Sequence, residues 1–231
     1  TQVRSVLKTT GQPLQGWGLD LEHDALVQQS LVPATPEEIR DTVTVMGGED
    51  WQRWMQALQQ ADCLAPGART VAYSYIGHES TYPLYRDGTI GYAKEHLHAT
   101  AETINLQLAG IGGHAWVSVC KALVTKASVF IPVLPVYLGL LMGVMKERGV
   151  HEGCIEQMYR LFKDKLYGAE SAGAAGAGAG VTDAGAGFNP VVDDAGYLRV
   201  DDWEMRPDVQ QAVDRIWPIV TTENAAEYCD I

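Results

Sequence analysis

The order of strand-like and helix-like segments constrains the fold of this chain more than any other feature. Residues 69–76 (RTVAYSYI) are rich in β-branched and aromatic residues and follow a Pro-Gly turn, which predicts a buried strand. A helical segment follows at 89–108, then a strand at 114–119 and helices at 123–148 and 152–167. Strands that alternate with helices in this way pair in parallel. The sequence therefore predicts an α/β fold, with a parallel sheet flanked by helices.

Local signals place the remaining elements. Residues 35–38 (TPEE) combine an N-cap threonine, a proline at the first helical position and a glutamate three residues after the cap, which predicts a helix at 36–46. The helix ends at Gly47-Gly48 and a second one continues to about residue 60. We expect residues 1–32 to be irregular and a last helix to cover 207–219. Residues 168–187 are mainly Ala and Gly, and we interpret them as a flexible insertion in a single domain spanning 1–231.

Composition excludes several classes of function. The chain has 231 residues, a net charge of −12 and no basic block, which argues against binding nucleic acid. Its histidines and cysteines form no motif with metal-ligand spacing, so no metal site is expected. Scattered cysteines and the lack of an apolar leader predict a cytoplasmic protein with reduced thiols. The uncharged run 128–145 contains two prolines and a tyrosine, so we expect a buried helix, and an integral membrane span is the weakest hypothesis.

Tyr85 and Lys94, nine residues apart, form the candidate catalytic pair. A phenol beside an ammonium group can protonate a developing enolate. Nine residues along one helix would place the two side chains on opposite faces, but Asp87-Gly88 predicts a break that leaves Tyr85 outside the helix. Lys94 then borders the apolar stripe of that helix. We expect its positive charge to lower the pKa of Tyr85.

Other motifs of the same kind are interpreted as structural. Tyr137 and Lys146 repeat the spacing but lie within one predicted helix, so a core tyrosine and an exposed lysine are expected. Tyr159 and Lys163 are expected to form a surface pair one helical turn apart. Residues 110–115 have the outline of a dinucleotide-binding glycine motif, but a helix precedes them and a strand follows, which predicts a connecting turn.

Six stretches, in order along the chain, resemble the FabV-type enoyl-[acyl-carrier-protein] reductases and the related trans-2-enoyl-CoA reductases. They are 45–51 (VMGGEDW), 73–77 (YSYIG), 85–94 (YRDGTIGYAK), 121–125 (KALVT), 151–157 (HEGCIEQ) and 201–204 (DDWE). Tyr85 and Lys94 match the Tyr-x8-Lys signature of this family. The resemblance implies a Rossmann-like, short-chain-dehydrogenase-like domain that reduces the 2,3-double bond of a trans-2-enoyl thioester with NADH, in fatty acid synthesis.

The resemblance also implies roles for individual residues. Tyr85 matches the proton donor, Tyr75 a substrate-contacting residue, and Lys94 a residue that binds the nicotinamide ribose. The loop that binds the nicotinamide end of NADH would comprise Leu123, Val124 and Thr125, and the apolar helix after it resembles the wall of the acyl pocket. The implied partner is enoyl-CoA or enoyl-ACP, and a monomer is expected.

Three departures from the family leave a second function open. The family has a glycine-rich phosphate loop before the point at which this chain begins, and the chain stops short of the usual C-terminal end. In addition, Glu95 stands where the family often has a second lysine. We therefore interpret the chain as a fragment whose Rossmann-like sheet is incomplete at the N-terminus. The alternative function is that of a non-catalytic or acyl-binding fragment of such a reductase.

Overall fold

A computed structural model describes residues 2–20, 23, 25–125, 128, 131–167 and 190–229. The strands in this part of the chain are β1 (Leu14–Asp20), β2 (Ala25–Leu31), β3 (Arg69–Ser74), β4 (His114–Val119) and β5 (Leu198–Arg199). The α-helices are α1 (Pro36–Met46), α2 (Glu49–Gln60), α3 (Thr89–Leu108), α4 (Leu134–Glu147), α5 (Cys154–Arg160), α6 (Pro207–Ile216) and α7 (Ala225–Tyr228). The insertion expected at 168–187 lies outside the described residues and stays a prediction.

Strands β3, β4 and β5 form a parallel sheet in that order, so β4 is central. The β3–β4 register runs from Arg69 opposite His114 to Ser74 opposite Val119, and β5 pairs with the last two residues of β4. Helix α3 connects β3 to β4 and packs against β4 and against helices α1 and α2. The predicted α/β fold with a parallel sheet flanked by helices is therefore confirmed.

Elements with strong local signals begin and end where the sequence predicts. The hydroxyl of Thr35 accepts a hydrogen bond from the Glu38 amide (3.2 Å), and the Glu38 carboxylate accepts one from the Thr35 amide (2.8 Å), which completes the capping box of α1. Helix α3 and strand β4 also have their predicted bounds. The glycine-containing stretch at 110–115 is a connecting turn, with Gly112 at φ +65° before β4.

The apolar run near residue 140 forms the buried helix α4, which packs against β1, α6 and α7. Its side chains make the largest core cluster of the described residues, together with apolar residues of β1, β2 and α6. None of the helices in the described ranges has the length and hydropathy needed to span a membrane. The prediction of a buried helix in this segment is confirmed.

The prediction that residues 1–32 are irregular is wrong. This segment contains an antiparallel hairpin of β1 and β2. Its register runs from Leu14 opposite Leu31 to Asp20 opposite Ala25. Leu14, Leu26 and Leu31 pack against the cluster around α4. Because this support comes from a helix more than a hundred residues later, the glycine-rich local sequence does not reveal it.

The predicted helix at 123–148 starts too early, because α4 begins only at Leu134. Val133, between Pro132 and the helix, has φ +67°, outside the helical region. Proline also disfavours helical geometry in the residue before it, which applies to Ile131 before Pro132. The predicted helix at 152–167 begins at Cys154 and becomes a π-helical turn at Leu161–Leu166. The predicted strand at 69–76 ends at Ser74. The helix predicted at 207–219 is α6, which ends at Ile216 and is followed by a 3-10 turn at Trp217–Ile219.

Candidate functional site

The carboxyl ends of the three parallel strands bring together segments that are distant in sequence. Tyr75 directly follows β3, residues 121–125 follow β4, and residues 201–204 follow β5 by one residue. Ligands of α/β sheets bind at this edge. The same edge holds most of the site residues that the sequence predicts.

Tyr85 lies outside helix α3, as the Asp-Gly break predicts. The helix begins at Thr89, and its N-cap residue Gly88 has extended backbone angles (φ −101°, ψ −174°). The turn depends on Gly91, where a Cβ atom would lie 1.8 Å from the backbone oxygen of Arg86. A small residue in the first turn of α3 therefore lets the chain fold back and bury the Tyr85 ring.

The Tyr85 phenol is buried beside Tyr75. The two rings meet edge to face, with centroids 4.9 Å apart and planes at 84°. Within the described ranges, no hydrogen bond joins the Tyr85 hydroxyl to another residue. Burial, and next the negative charge of Glu204, raise the pKa of Tyr85 well above its ordinary value. The phenol is therefore protonated at neutral pH.

The expectation that Lys94 lowers the pKa of Tyr85 is wrong. The Lys94 ammonium group donates to the backbone oxygen of Tyr73 (3.2 Å), on β3. Burial lowers the pKa of Lys94 itself, with a smaller opposing effect from Cys120. Desolvation outweighs any stabilisation of the phenolate by Lys94, because the removal of water costs an anion more free energy than it costs a neutral phenol. The structure nevertheless brings Lys94 close to the end of β3, which Tyr75 directly follows.

Leu123, Val124 and Thr125 lie in an irregular loop after β4, not in the first turn of a helix as predicted. The Thr125 amide donates to the Ser128 hydroxyl (2.7 Å), and the Ser128 amide donates to the Thr125 hydroxyl (3.2 Å), which closes the loop. In the described part of the chain, the backbone N–H groups of Leu123 and Val124 have no hydrogen-bond partner. These donors can serve a polar ligand at the end of β4.

Glu204, a fully buried carboxylate, lies behind the tyrosines and was not identified from the sequence. One of its oxygens accepts hydrogen bonds from the hydroxyls of Tyr75 (2.9 Å) and Tyr137 (2.8 Å). The other accepts from the amide of Ala122 (2.6 Å), at the start of the loop after β4. The acidic stretch 201–204 (DDWE) is one of the six that resemble the family, and that resemblance is the sequence signal that could have found it.

The other tyrosine–lysine pairs behave as predicted. Tyr137 is fully buried while Lys146, on the same helix, is exposed, so the two do not form a catalytic pair. Tyr137 is more than a core residue, however, because its hydroxyl joins the Glu204 cluster. The Lys163 ammonium lies 5.4 Å from the centroid of the exposed Tyr159 ring, which is a surface contact.

An apolar cavity adjoins Tyr85 on the side of the hairpin. It lies between β1, the segment that leads to Tyr85 and the start of α4. Its lining includes Leu14, Pro83, Leu84, Tyr85, Val133 and Trp217. A buried phenol at the border of an apolar cavity can meet a substrate that has both a polar head and an apolar chain.

Comparisons with known proteins show the family to which the chain belongs. Residues 1–167 match the family model described as the trans-2-enoyl-CoA reductase catalytic region, and residues 192–231 match one described as an enoyl reductase FAD binding domain. The chain is 49% identical over 221 residues to enoyl-[acyl-carrier-protein] reductase [NADH] 2 of Photobacterium profundum, covering 96% of this chain and 51% of the relative. It is 47% identical over 228 residues to enoyl-[acyl-carrier-protein] reductase [NADH] 1 of Vibrio cholerae, covering 99% and 53%.

Solved structures show the same likeness. Trans-2-enoyl-CoA reductase of Clostridium acetobutulicum in complex with NADH has a TM-score of 0.88 and 45% identity, covering 99% of this chain and 53% of that one. The Treponema denticola enzyme in complex with NAD has a TM-score of 0.86 and 46% identity, covering 99% and 52%. The chain spans about half the length of the curated relatives it matches. Because a family model matches more than two thirds of its residues, the chain belongs to the trans-2-enoyl-CoA reductase family and has its Rossmann-like fold.

Proposed function

We propose that this protein reduces the 2,3-double bond of a trans-2-enoyl thioester, carried on acyl carrier protein or coenzyme A, with NADH in fatty acid synthesis. The observation that carries the proposal is the Tyr85 phenol, which is buried, protonated and without a partner in the described part of the chain. It lies between an apolar cavity and the carboxyl edge of the sheet. The proposal transfers to this chain what the names of relatives about twice its length say.

The carboxyl edge of the sheet fits the nicotinamide end of NADH. The N–H groups of Leu123 and Val124 can donate to the carboxamide, and the hydroxyl of Thr125 lies in the same loop. The Lys94 ammonium, half-buried with one backbone acceptor, can donate to ribose hydroxyls. NADH, when bound, supplies the hydride that reduces the double bond. The description of the second family model names FAD, but the similar structures hold NADH or NAD, and we propose NADH.

Tyr85 supplies the proton in this scheme. The thioester oxygen becomes negative as the double bond is reduced, and a protonated phenol within hydrogen-bond reach stabilises that charge and transfers its proton. The raised pKa of Tyr85 suits a group that must hold its proton until the substrate oxygen becomes basic. Tyr75 contacts the substrate from the neighbouring position, since its ring packs against Tyr85. The apolar residues that line the cavity beside Tyr85 mark the side on which the acyl chain would lie.

The test is Tyr85→Phe in the protein at its full natural length, with NADH oxidation followed in the presence of crotonyl-CoA. Loss of a general acid lowers kcat by about 10²- to 10⁴-fold. The NADH affinity should stay unchanged, because the hydroxyl contacts the substrate and not the cofactor. Tyr82→Phe is the matched control, since it removes a hydroxyl from the same segment, and it should keep wild-type turnover. Full turnover in Tyr85→Phe would refute the assignment of the donor.

The alternative, a non-catalytic or acyl-binding fragment, predicts no cofactor binding by the 231-residue chain. Titration of NADH into that chain, followed by the fluorescence of the nicotinamide, distinguishes the two functions. Micromolar binding that is weakened by Lys94→Met favours the reductase. Failure to bind NADH, together with binding of a fatty acyl thioester, favours the alternative.

We also infer that the protein is a cytoplasmic monomer and that residues 1–231 belong to one domain. The four cysteines are free, and Cys63 and Cys154 are exposed, which suits a reducing compartment. Light scattering measures the mass in solution, and a dimer would contradict the inference.

A further inference from the structure

We propose that Glu204 is a positioning residue that accepts hydrogen bonds from the hydroxyl groups of Tyr75 and Tyr137, so that Tyr85 is the phenol left free to donate to the substrate. The proposal rests on the proposed function and deepens it, because it assigns which tyrosine acts as the acid. It also links the substrate-contacting tyrosine to the loop that would hold the nicotinamide.

The two hydroxyl groups donate to the same carboxylate oxygen, Oε1 of Glu204, at 2.9 Å from Tyr75 and 2.8 Å from Tyr137. A phenol has one proton to donate, so neither tyrosine has a second one for the substrate. The side chain of Gln210 donates to the Tyr137 hydroxyl (3.2 Å), which fixes the direction in which that hydroxyl donates. Tyr75 can then offer the substrate only its ring and an acceptor lone pair.

The second oxygen of Glu204 accepts from the backbone amide of Ala122 (2.6 Å). Ala122 directly precedes Leu123, so the same carboxylate orients Tyr75 and the start of the candidate nicotinamide loop. The backbone oxygen of Glu204 accepts in turn from the side chain of Gln210 (2.7 Å), on α6. Glu204 therefore connects the ends of β3 and β4 to helices α4 and α6.

Four titratable groups face the Glu204 carboxylate: Tyr75, Tyr85, Tyr137 and Lys121. The buried Lys121 ammonium donates to the backbone oxygen of Ala122 (2.8 Å) and contributes its charge from there. Burial raises the pKa of Glu204, while the three donors and Lys121 oppose that rise. Burial is the main cause that raises the pKa of both Tyr75 and Tyr137, and the negative charge of Glu204 is the next, as expected for phenols that donate to a carboxylate.

The test is Glu204→Gln in the protein at its full natural length, which keeps the shape of the side chain and removes its charge. Two readouts are combined. The first is the Cζ resonances of isotope-labelled tyrosines in the NMR spectrum, assigned with the Tyr75→Phe, Tyr85→Phe and Tyr137→Phe variants. The second is kcat for NADH oxidation with crotonyl-CoA. In Glu204→Gln we expect kcat to fall by about ten- to a hundredfold, as for a misplaced reacting group.

In the wild type, we expect the Tyr75 and Tyr137 resonances to move together in one acid titration, as Glu204 takes up a proton. Because burial raises its pKa, the midpoint lies above the ordinary glutamate value of about 4.3. In Glu204→Gln both resonances are displaced and the shared titration is lost. Asn105→Ala is the control: it removes two hydrogen bonds to Ala115 at the opposite edge of the sheet and should leave the titration unchanged.

Two results would overturn the proposal. One is a shared titration that survives in Glu204→Gln, which would assign it to another group. The other is an unchanged kcat in a Glu204→Gln protein whose wild type is active. If the wild type does not reduce enoyl thioesters, the proposed function fails, whereas the NMR titration still decides where the two hydroxyl protons lie. Should Glu204→Gln fail to fold, Tyr137→Phe displaces the Tyr75 resonance by removing the second donor to the same oxygen, and an unmoved Tyr75 signal counts against the proposal.

Discussion

The buried ion pair of Arg160 and Glu152 supports the segment that carries Glu204, and breaking it should cost much of the stability. The two side chains are 8% and 2% exposed. Two guanidinium nitrogens donate to the two Glu152 oxygens, at 2.9 and 2.6 Å. A third contact reaches the Asp202 carboxylate (2.5 Å), and the guanidinium lies 4.3 Å from the centroid of the Trp203 ring. Arg160 thus joins α5 to the two residues that directly precede Glu204.

The perturbation is Arg160→Met, which keeps the apolar stem and removes the charge. It leaves the Glu152 carboxylate buried without its guanidinium, and removal of one partner of a buried pair costs about 3–5 kcal/mol. The Asp202 carboxylate loses less stabilisation, because its side chain is 39% exposed and keeps its ion pair with Lys165 at 2.9 Å. That range includes the lost contact with Trp203, which is worth about 0.5–1 kcal/mol. We therefore expect the free energy of unfolding to fall by about 3–5 kcal/mol.

The assay is urea unfolding followed by far-ultraviolet circular dichroism. With an m-value of about 2 kcal/mol/M, the midpoint should fall by about 1.5–2.5 M at constant m. Lys165→Met is the matched control: it removes a cation from the same Asp202 but from a more exposed pair, and should cost at most about 1 kcal/mol. Arg160→Met combined with Glu152→Leu should recover part of the loss, since no buried charge is then left unpaired.

The reasoning is refuted if Arg160→Met costs no more than Lys165→Met. Acid dependence gives a second check. Burial raises the pKa of Asp202, but the hydrogen bonds from Lys165 and Arg160 more than offset this and hold it below its ordinary value. A carboxyl with a lowered pKa contributes stability above its unfolded pKa of about 3.9, which is lost as pH falls through the folded value. Stability should therefore decline less on acidification in Arg160→Met than in the wild type.

Two further predictions concern the surroundings of Tyr85 and Lys94. Gly91→Ala should lower the free energy of unfolding by about 2–4 kcal/mol, measured by thermal unfolding, because its Cβ would lie 1.8 Å from the Arg86 backbone oxygen. The control Gly110→Ala, which has no atom within 4 Å of the added Cβ, should lower it by less than about 0.5 kcal/mol, and equal effects would contradict the close approach at Gly91. Burial raises the pKa of Cys120 to about 11, so at about pH 8 iodoacetamide should label the exposed Cys63 well before Cys120, as measured by mass spectrometry, and equal rates would contradict the burial of Cys120.

Local interactions explain the part of the fold and site that the sequence predicts. The capping box of α1 and the β-forming residues of β4 depend on interactions between residues close in sequence, so the sequence alone predicts both elements. The Asp87-Gly88 break acts in the same way, and it separates Tyr85 from the helix that carries Lys94. The family resemblance added the candidate roles of Tyr75 and of residues 123–125, which stay predictions until the variants above are measured.

The sequence by itself therefore determined the α/β order of elements, the family and the candidate proton donor. Only the tertiary structure decided that β1 and β2 pair beneath α4, and that Glu204 takes its hydrogen bonds from Tyr75, 129 residues earlier, and Tyr137, 67 residues earlier. It also decided that the pKa of Tyr85 rises instead of falling. The physical reason is common to all three: desolvation and hydrogen bonding depend on which groups surround a side chain in space, and those groups come from distant parts of the chain.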